Sequence, residues 1–198
     1  YTEHVQPDGH KGQVVAIDRL ACVAYKEALD KTITRWLMKR RGLGEAEAKA
    51  QAAGMTACVY SPGQHDDVAH PQLAAFQVSA EEVTTQIVPR FNDPADPLCL
   101  LIVCNKLLTG FDAPIERVIY LDNPLKDHNL LQAIARTNRR FDRKDHGLIV
   151  DYIGVTRRLA EALAAYHAED VAGASRDVDL LHDQLVAAHR DVMAFVAG

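Results

Sequence analysis

The sequence predicts an α/β fold, in which a parallel sheet is flanked by helices in three layers, followed by a C-terminal helical extension. Short apolar runs alternate with longer segments of helical periodicity up to residue 153. The run LCLLIVCNK (98–106) is apolar throughout, as is typical of a parallel strand with helices on both faces. After Thr156 only amphipathic helical patterns follow.

The elements follow from these patterns in chain order. Residues 1–12 are polar and contain Gly and Pro, so we expect a leading loop or a frayed end. Apolar runs predict strands at 12–18, 55–61, 98–106, 117–122 and 147–153. Helical spacing predicts helices at 19–41, 45–54, 79–91 and 127–140, and the segment 62–79 is expected to be a loop with a short helical piece. We therefore expect one α/β domain at 13–155 and the start of a helical region at 156–198, in a chain that is a piece of a longer protein.

Composition narrows the class of protein. The chain has 198 residues, 48% of them apolar, and a net charge of -5, which argues against non-specific coating of nucleic acid. Cys22, Cys58, Cys99 and Cys104 form no C-x-x-C pair and are expected to be reduced and buried. No apolar run reaches the roughly 18 residues of a membrane span, so we expect a cytoplasmic protein without membrane contact. The sequence also has no G-x-x-x-x-G-K-[ST] phosphate loop, so we expect an incomplete nucleotide motor.

The helix predicted at 127–140 carries a polar stripe. At about 100° per residue, Gln132, Arg136 and Arg139 fall within about 60° of one another. Leu130, Ile134 and Thr137 fall on the opposite side. One side is expected to pack, and the other to point at an anion in the crevice beyond the carboxyl ends of the strands. The alternative is a solvated arginine face, with acidic residues at 142 and 145 nearby.

Three segments resemble motifs of superfamily 2 helicases. QAIARTNR (132–139) resembles motif VI, Q-x-x-G-R-x-x-R, with Ala135 where many members have Gly. KLLTGFDAP (106–114) resembles motif V, and VVAIDRLACVAYKEAL (14–29) resembles motif IV. The segments TGFDAP, LQAIARTNR and VDYIG most resemble the motor (R) subunit of type I restriction enzymes. The resemblance covers about residues 13–166.

The resemblance implies the second RecA-like domain of an ATP-dependent DNA translocase. ATP and Mg²⁺ would be held mainly by a first RecA-like domain of the same polypeptide. Arg136 and Arg139 would be arginine fingers, and Gln132 would contact the γ-phosphate or orient the attacking water. Asp112 would accept hydrogen bonds from the ribose or from one of the arginines, although a turn-stabilising Asp is the alternative.

The same resemblance implies DNA and protein partners. Thr109 and Gly110 would contact the DNA backbone, with Gly110 also close to the nucleotide, and a plain loop is the alternative. Arg19 would touch DNA phosphate, unless it is merely an exposed residue at a helix start. Double-stranded DNA and the methyltransferase and specificity subunits are the implied partners. We expect the isolated chain neither to hydrolyse ATP nor to cut DNA.

Two other classes of function stay open at this point. HDDVAH (65–70) offers His65, Asp66, Asp67 and His70, a set that would suit a metal-dependent hydrolase, although a surface loop explains it as well. A non-catalytic RecA-like protein-binding module is the second alternative. Within the motor class, a chromatin-remodelling-like or excision-repair-like translocase is the nearest competitor.

Overall fold

A computed structural model describes most of the predicted α/β domain. The described residues are 1, 5–63, 70–104, 106–107, 112–125, 127–142, 144 and 146–155. The chain divides into two units, Tyr1–Thr156 and Arg157–Gly198. The predicted helical extension at 156–198 lies outside the described residues, so that prediction is not tested.

A five-stranded parallel sheet forms the centre of the domain, as the sequence predicted. Its strand order is β2-β3-β1-β4-β5. The strands are β1 (Lys11–Ala16), β2 (Thr56–Tyr60), β3 (Leu100–Cys104), β4 (Glu116–Asp122) and β5 (Leu148–Asp151). All five predicted strands are confirmed, with ends that differ by at most two residues. Since every strand runs the same way, the sheet has one edge of amino ends and one edge of carboxyl ends.

Five helices accompany the sheet among the described residues. They are α1 (Arg19–Arg41), α2 (Glu45–Met55), α3 (Pro71–Ala74), α4 (80–92) and α5 (Asp127–Thr137). A π-helical segment, Val83–Ile87, interrupts α4. α5 ends three residues earlier than the sequence predicted, so Arg139 lies beyond it. Within the described residues, no helix combines the length and apolar character that a membrane crossing requires.

One face of the sheet packs against α1 and α3. Side chains alternate between faces along a strand, so Val14 of β1 and Ile102 of β3, which are register partners, share this face. They join one buried cluster with Cys22 and Val23 of α1 and Leu73 of α3. The α1 helix begins at the Asp18 cap, whose carboxylate accepts from the Ala21 N–H, and ends at Gly42 in the left-handed conformation (φ 67°).

The opposite face carries α4 and α5, whereas α2 packs against α1 through Leu37, Ala48 and Ala52. Lys11 and Val15 point to this side by the same alternation, and Lys11 Nζ lies 5.7 Å from the centre of the Phe91 ring of α4. Val15 of β1 and Leu121 of β4 are completely buried there. Helices on both faces confirm the predicted three-layer α/β fold.

The amino-terminal segment is more ordered than expected. Val5 is buried, residues Gln6–Asp8 form a 3₁₀ turn, and β1 already begins at Lys11. Arg117 of β4 donates to the Asp8 carboxylate at 2.7 Å, which fastens this turn to the sheet. Residues 5–10 thus form a leading turn that is held by the sheet and not a frayed end, and the strand begins one residue earlier than predicted.

The four cysteines are free and buried, as predicted. Burial raises the pKa of Cys58 to about 12 and that of Cys99 to about 11. Such thiols stay protonated at neutral pH and behave as small apolar side chains.

Candidate functional site

Helix α5 brings the predicted arginines to the end of the sheet opposite to the one expected. It follows the carboxyl end of β4 and spans 11 residues, about 16 Å, back across the sheet. Its last turn lies beside the start of β5. A Cβ atom added at Gly147, the residue before β5, would be only 2.3 Å from Thr137 Oγ1. The arginines therefore lie toward the amino ends of the strands. The prediction that they point into the crevice beyond the carboxyl ends is wrong.

Arg136 is a buried side chain. It is 6% exposed, and its Nη1 donates to the Leu107 carbonyl at 2.8 Å. Leu107 adopts the left-handed conformation (φ 58°), which costs a non-glycine residue about 1 kcal/mol or more. Burial lowers the pKa of Arg136, whereas the charge of Glu116 raises it. The expectation that all three polar residues reach outward is thus wrong for Arg136, since the buried arc of α5 extends from Leu130 and Ala133 to this residue.

Arg139 remains accessible and has an acidic partner. Its guanidinium donates to the Asp112 carboxylate, and the two side chains are 49% and 68% exposed. Asp112 thus contacts one of the arginines, which was one of its two predicted roles. Its backbone carbonyl accepts from Asn92 Nδ2 at 3.0 Å, which ties the segment to the end of α4. Gln132, one turn before Arg136, is half-buried.

Two further charged residues lie beneath this site and were missed in the sequence. Glu116, the first residue of β4, is completely buried, and burial raises its pKa to about 8 against the opposing charges of Arg136 and Lys144. Burial also lowers the pKa of Lys144 to about 8, and Glu116 opposes this shift. Lys144 Nζ donates to the carbonyls of Pro114 and Glu116. Glu116 precedes an apolar run and Lys144 lies within a charged run, so both looked like ordinary surface charges and no periodicity could have revealed them.

The carboxyl edge of the sheet holds a separate feature. A cavity of about 440 Å³ lies where β1, β2 and β3 end, and it is lined by Ile17, Asp18, Arg19, Ser61 and Cys104. The Arg19 guanidinium packs on Gly63, where an added Cβ would lie 2.1 Å from its Nη1. The predicted DNA contact Arg19 and the arginines of the α5 end therefore lie at opposite edges of the sheet.

Some predicted residues lie outside the described part of the chain. Thr109 and Gly110 are among them, so their proposed contacts with DNA and nucleotide stay predictions. His65, Asp66 and Asp67 are also outside it, and only His70 of that motif is described. Within the described residues, no group of three His, Cys, Asp or Glu side chains is placed to hold a metal ion.

The fold defines a class, three-layer α/β domains with a parallel five-stranded sheet. Comparison with known proteins gives the family. Residues 68–154 match the family model described as Type I restriction enzyme subunit R domain 3. With this match and relatives that are 37–39% identical over 79–98% of its length, the chain belongs to the R-subunit family of type I restriction enzymes, as its motifs suggested.

Two archaeal relatives show the extent of the similarity. A putative type I restriction enzyme MjaVIIP endonuclease subunit of Methanocaldococcus jannaschii is 39% identical over 166 residues, which is 79% of this chain and 14% of the relative. The MjaIXP endonuclease subunit of the same organism is 37% identical over 195 residues, or 98% of this chain and 17% of the relative. The chain thus spans about one sixth of such subunits or less.

A solved structure is also similar at the level of the whole chain. The similarity to the structure of S. cerevisiae Dbp5 bound to RNA and ADP BeF3 extends over 82% of this chain and 40% of the Dbp5 chain. The identity is 13% and the TM-score is 0.34. This similarity is too distant to bear on function.

Proposed function

We propose that this chain is the second RecA-like domain of the DNA-translocating motor in a type I restriction enzyme R subunit. In this proposal ATP and Mg²⁺ are held mainly by the first RecA-like domain, and Arg139 completes the nucleotide site from across the cleft. The observation that carries the proposal is the accessible Arg139 at the end of a helix of motif VI sequence, next to a buried Arg136.

The geometry suits Arg139 for this role better than Arg136. An exposed ion pair such as Arg139 with Asp112 contributes about 0–1 kcal/mol, so its exchange for another anion costs little. Charge-assisted hydrogen bonds to a desolvated phosphate are stronger, about 1.5–3 kcal/mol each. Arg136 is already bonded to the Leu107 carbonyl and buried. We assign the binding of the γ-phosphate to Arg139, and we assign to the buried Arg136 the role of holding the neighbouring structure in place.

The residues of this chain fit part of a nucleotide site. An arginine fork matches phosphate oxygens, whereas the sequence has no phosphate loop and the described residues show no cluster of metal ligands. Bound ATP and Mg²⁺ would supply the phosphoryl group and the counter-charge for its transfer. Gln132, on the same side of α5, would orient the attacking water. The isolated chain would then be inactive.

The carboxyl edge is the proposed DNA side. Arg19 lies there at the start of the 23-residue helix α1, whose amino end favours an anion. Thr109 and Gly110 would add main-chain and hydroxyl contacts to the phosphates. Double-stranded DNA, the methyltransferase and specificity subunits and a cytoplasmic location belong to the same proposal.

The test uses the complete R subunit that carries this domain, assembled with its partner subunits. Arg139→Ala is expected to lower the DNA-dependent rate of ATP hydrolysis by a factor of about 10³ to 10⁵, the range found for arginine fingers. Arg140→Ala is the matched control, because this neighbouring arginine is also exposed, and it should retain the rate. An Arg139→Ala enzyme that hydrolyses ATP like the parent would refute the assignment.

The DNA side is tested separately. Arg19→Ala is expected to weaken DNA binding and to reduce by about one the slope of log affinity against log salt concentration. Unchanged affinity and slope would remove Arg19 from the DNA contact while leaving the nucleotide assignment intact.

A further inference from the structure

We propose that Gly63 is a positioning residue for DNA binding. Because residue 63 has no side chain, the Arg19 guanidinium lies on its backbone and is held at the carboxyl edge of the sheet, where it contacts a DNA phosphate. This role rests on the proposed function, since it concerns the same DNA contact. Gly63 lies in the loop that follows β2 and belongs to none of the motifs that carry the family resemblance.

The Arg19 guanidinium occupies the space that a side chain at residue 63 would need. If a Cβ atom is added to Gly63, its three nearest atoms all belong to this one group, with Nη2 at 2.6 Å and Cζ at 2.7 Å. Non-bonded heavy atoms are in optimal contact at about 3.5–4.0 Å, so a methyl group and the guanidinium cannot share this place. Gly63→Ala would therefore displace the guanidinium.

The backbone conformation of residue 63 does not explain the glycine. Gly9, Gly42 and Gly154 have positive φ angles, which favour glycine, whereas Gly63 does not. An alanine thus fits the chain at residue 63, and its methyl group meets first the end of a flexible side chain and not the core. The contact with the guanidinium is what requires the glycine.

Arg19 is less exposed than its neighbours at the start of α1. Ile17, Asp18 and Leu20 are exposed, whereas Arg19 is half-buried. Arg19 lines the cavity of about 440 Å³ where β1, β2 and β3 end. Burial raises the pKa of Cys104 at the end of β3, and the charge of Arg19 opposes this shift. The guanidinium therefore lies against the rim of the sheet, beside the cavity.

The stability of α1 does not explain a positive charge at residue 19. The amino end of a helix carries a partial positive charge, so an arginine as the first residue of this 23-residue helix is electrostatically unfavourable. The neighbouring Asp18 carboxylate accepts a hydrogen bond from the Ala21 N–H. A phosphate beside Arg19 would be attracted both by the guanidinium and by the end of the helix.

Prior orientation of the guanidinium increases its affinity for a phosphate. An arginine side chain loses rotamer freedom when it binds, and one that already lies in place loses less. Each phosphate of duplex DNA that a protein neutralises also releases counterions, so log affinity falls with log salt concentration by about 0.9 per contact. Loss of one contact corresponds to about fifteenfold in affinity at 50 mM salt and about fourfold at 200 mM salt.

The experiment measures binding of the complete R subunit to a fluorescent DNA duplex of arbitrary sequence, by anisotropy at the same two salt concentrations. Arg19→Ala should lose about fifteenfold in affinity at the lower salt and about fourfold at the higher. Gly63→Ala should lose at least about threefold at the lower salt, with a smaller salt slope and the Tm of the parent. Gly54→Ala is the matched control, because its methyl group meets no atom within 4 Å, and it should bind DNA like the parent.

A double-mutant cycle tests the route through Arg19. In the Arg19→Ala background, Gly63→Ala should weaken binding no further, because the group that it positions has gone. A full additional loss in that background would show that residue 63 acts on DNA without Arg19 and would overturn the proposal. Parental affinity of Gly63→Ala would overturn it as well, and a lowered Tm with parental affinity would mark the contact as purely structural.

The results also separate the positioning role from the proposed function. If Arg19→Ala weakens binding and Gly63→Ala does not, only the positioning role of Gly63 fails. If Arg19→Ala binds DNA like the parent, the assignment of the DNA side fails, and the positioning role fails with it. The Arg139→Ala enzyme tests the nucleotide side independently of both.

Discussion

Substitution of Glu116 by Gln should change how the stability of the domain depends on pH. Burial raises the pKa of this carboxyl to about 8, from an ordinary value of 4.5. Between pH 4.5 and about 8 the Glu116 carboxyl is protonated in the folded state but ionised in the unfolded state. The contribution of Glu116 to the stability of the fold is therefore fully present below pH 4.5 and is lost as the pH rises to about 8.

The magnitude follows from the size of the shift. One pKa unit corresponds to about 1.4 kcal/mol, so the displacement of the Glu116 pKa sets an upper limit of roughly 5 kcal/mol for the loss. Lys144 contributes little to the change between pH 5 and 7, because it is protonated in both states below its lowered pKa of about 8. A glutamine cannot ionise, so the variant should lack this loss.

Urea unfolding of the 198-residue chain at pH 5 and pH 7, followed by circular dichroism, measures the effect. The free energy of unfolding of Glu116→Gln minus that of the parent should increase by at least about 1 kcal/mol from pH 5 to pH 7. Histidines and surface carboxylates titrate equally in both proteins and cancel in this difference. A difference that is constant with pH, or that falls, would show that Glu116 is not a buried acid of raised pKa.

Two further predictions concern backbone contacts and a buried lysine. Gly147→Ala should destabilise the chain by about 1–3 kcal/mol, because the new methyl group would overlap Thr137, whereas Gly54→Ala meets no atom within 4 Å and should stabilise α2 by about 0.5–1 kcal/mol. Denaturant midpoints measure both, and equal midpoints would contradict the packing. Lys11→Met should cost about 3 kcal/mol or more, because Lys11 Nζ donates to three carbonyls near the end of α4. Thermal melts check this, and an unchanged Tm would refute it.

The sequence was sufficient to predict the sheet, for a physical reason. A strand that is covered by helices on both faces must be apolar throughout. A run such as 98–106 therefore identifies such a strand without knowledge of the strands beside it. The long helix α1 was equally predictable, since its capping residue Asp18 and the terminal Gly42 are local signals.

The candidate site was only partly predictable. Helical spacing placed Gln132, Arg136 and Arg139 on one stripe, but α5 ends before Arg139 and Arg136 is buried. Spacing gives relative directions only and does not say which arc of the helix faces the sheet. The prediction placed the arginines at the wrong edge of the sheet, although the order of the elements indicates the correct one. A helix that joins two parallel strands must return toward their amino ends. Glu116 was missed because its burial depends on Lys144 and on a register shift, and neither is visible in a local pattern.

The course of the chain between β3 and β4 has a mechanical consequence. Cys104 ends β3 at one rim of the sheet and Glu116 begins β4 at the other, a vertical separation of about 15–20 Å for strands of this length. Leu107 lies early on this descent, and the Arg136 side chain grips its carbonyl. Any movement that draws Leu107 away from the sheet must therefore either break that bond or displace the Arg136 guanidinium with it, so the position of this side chain is tied to the residues that follow β3.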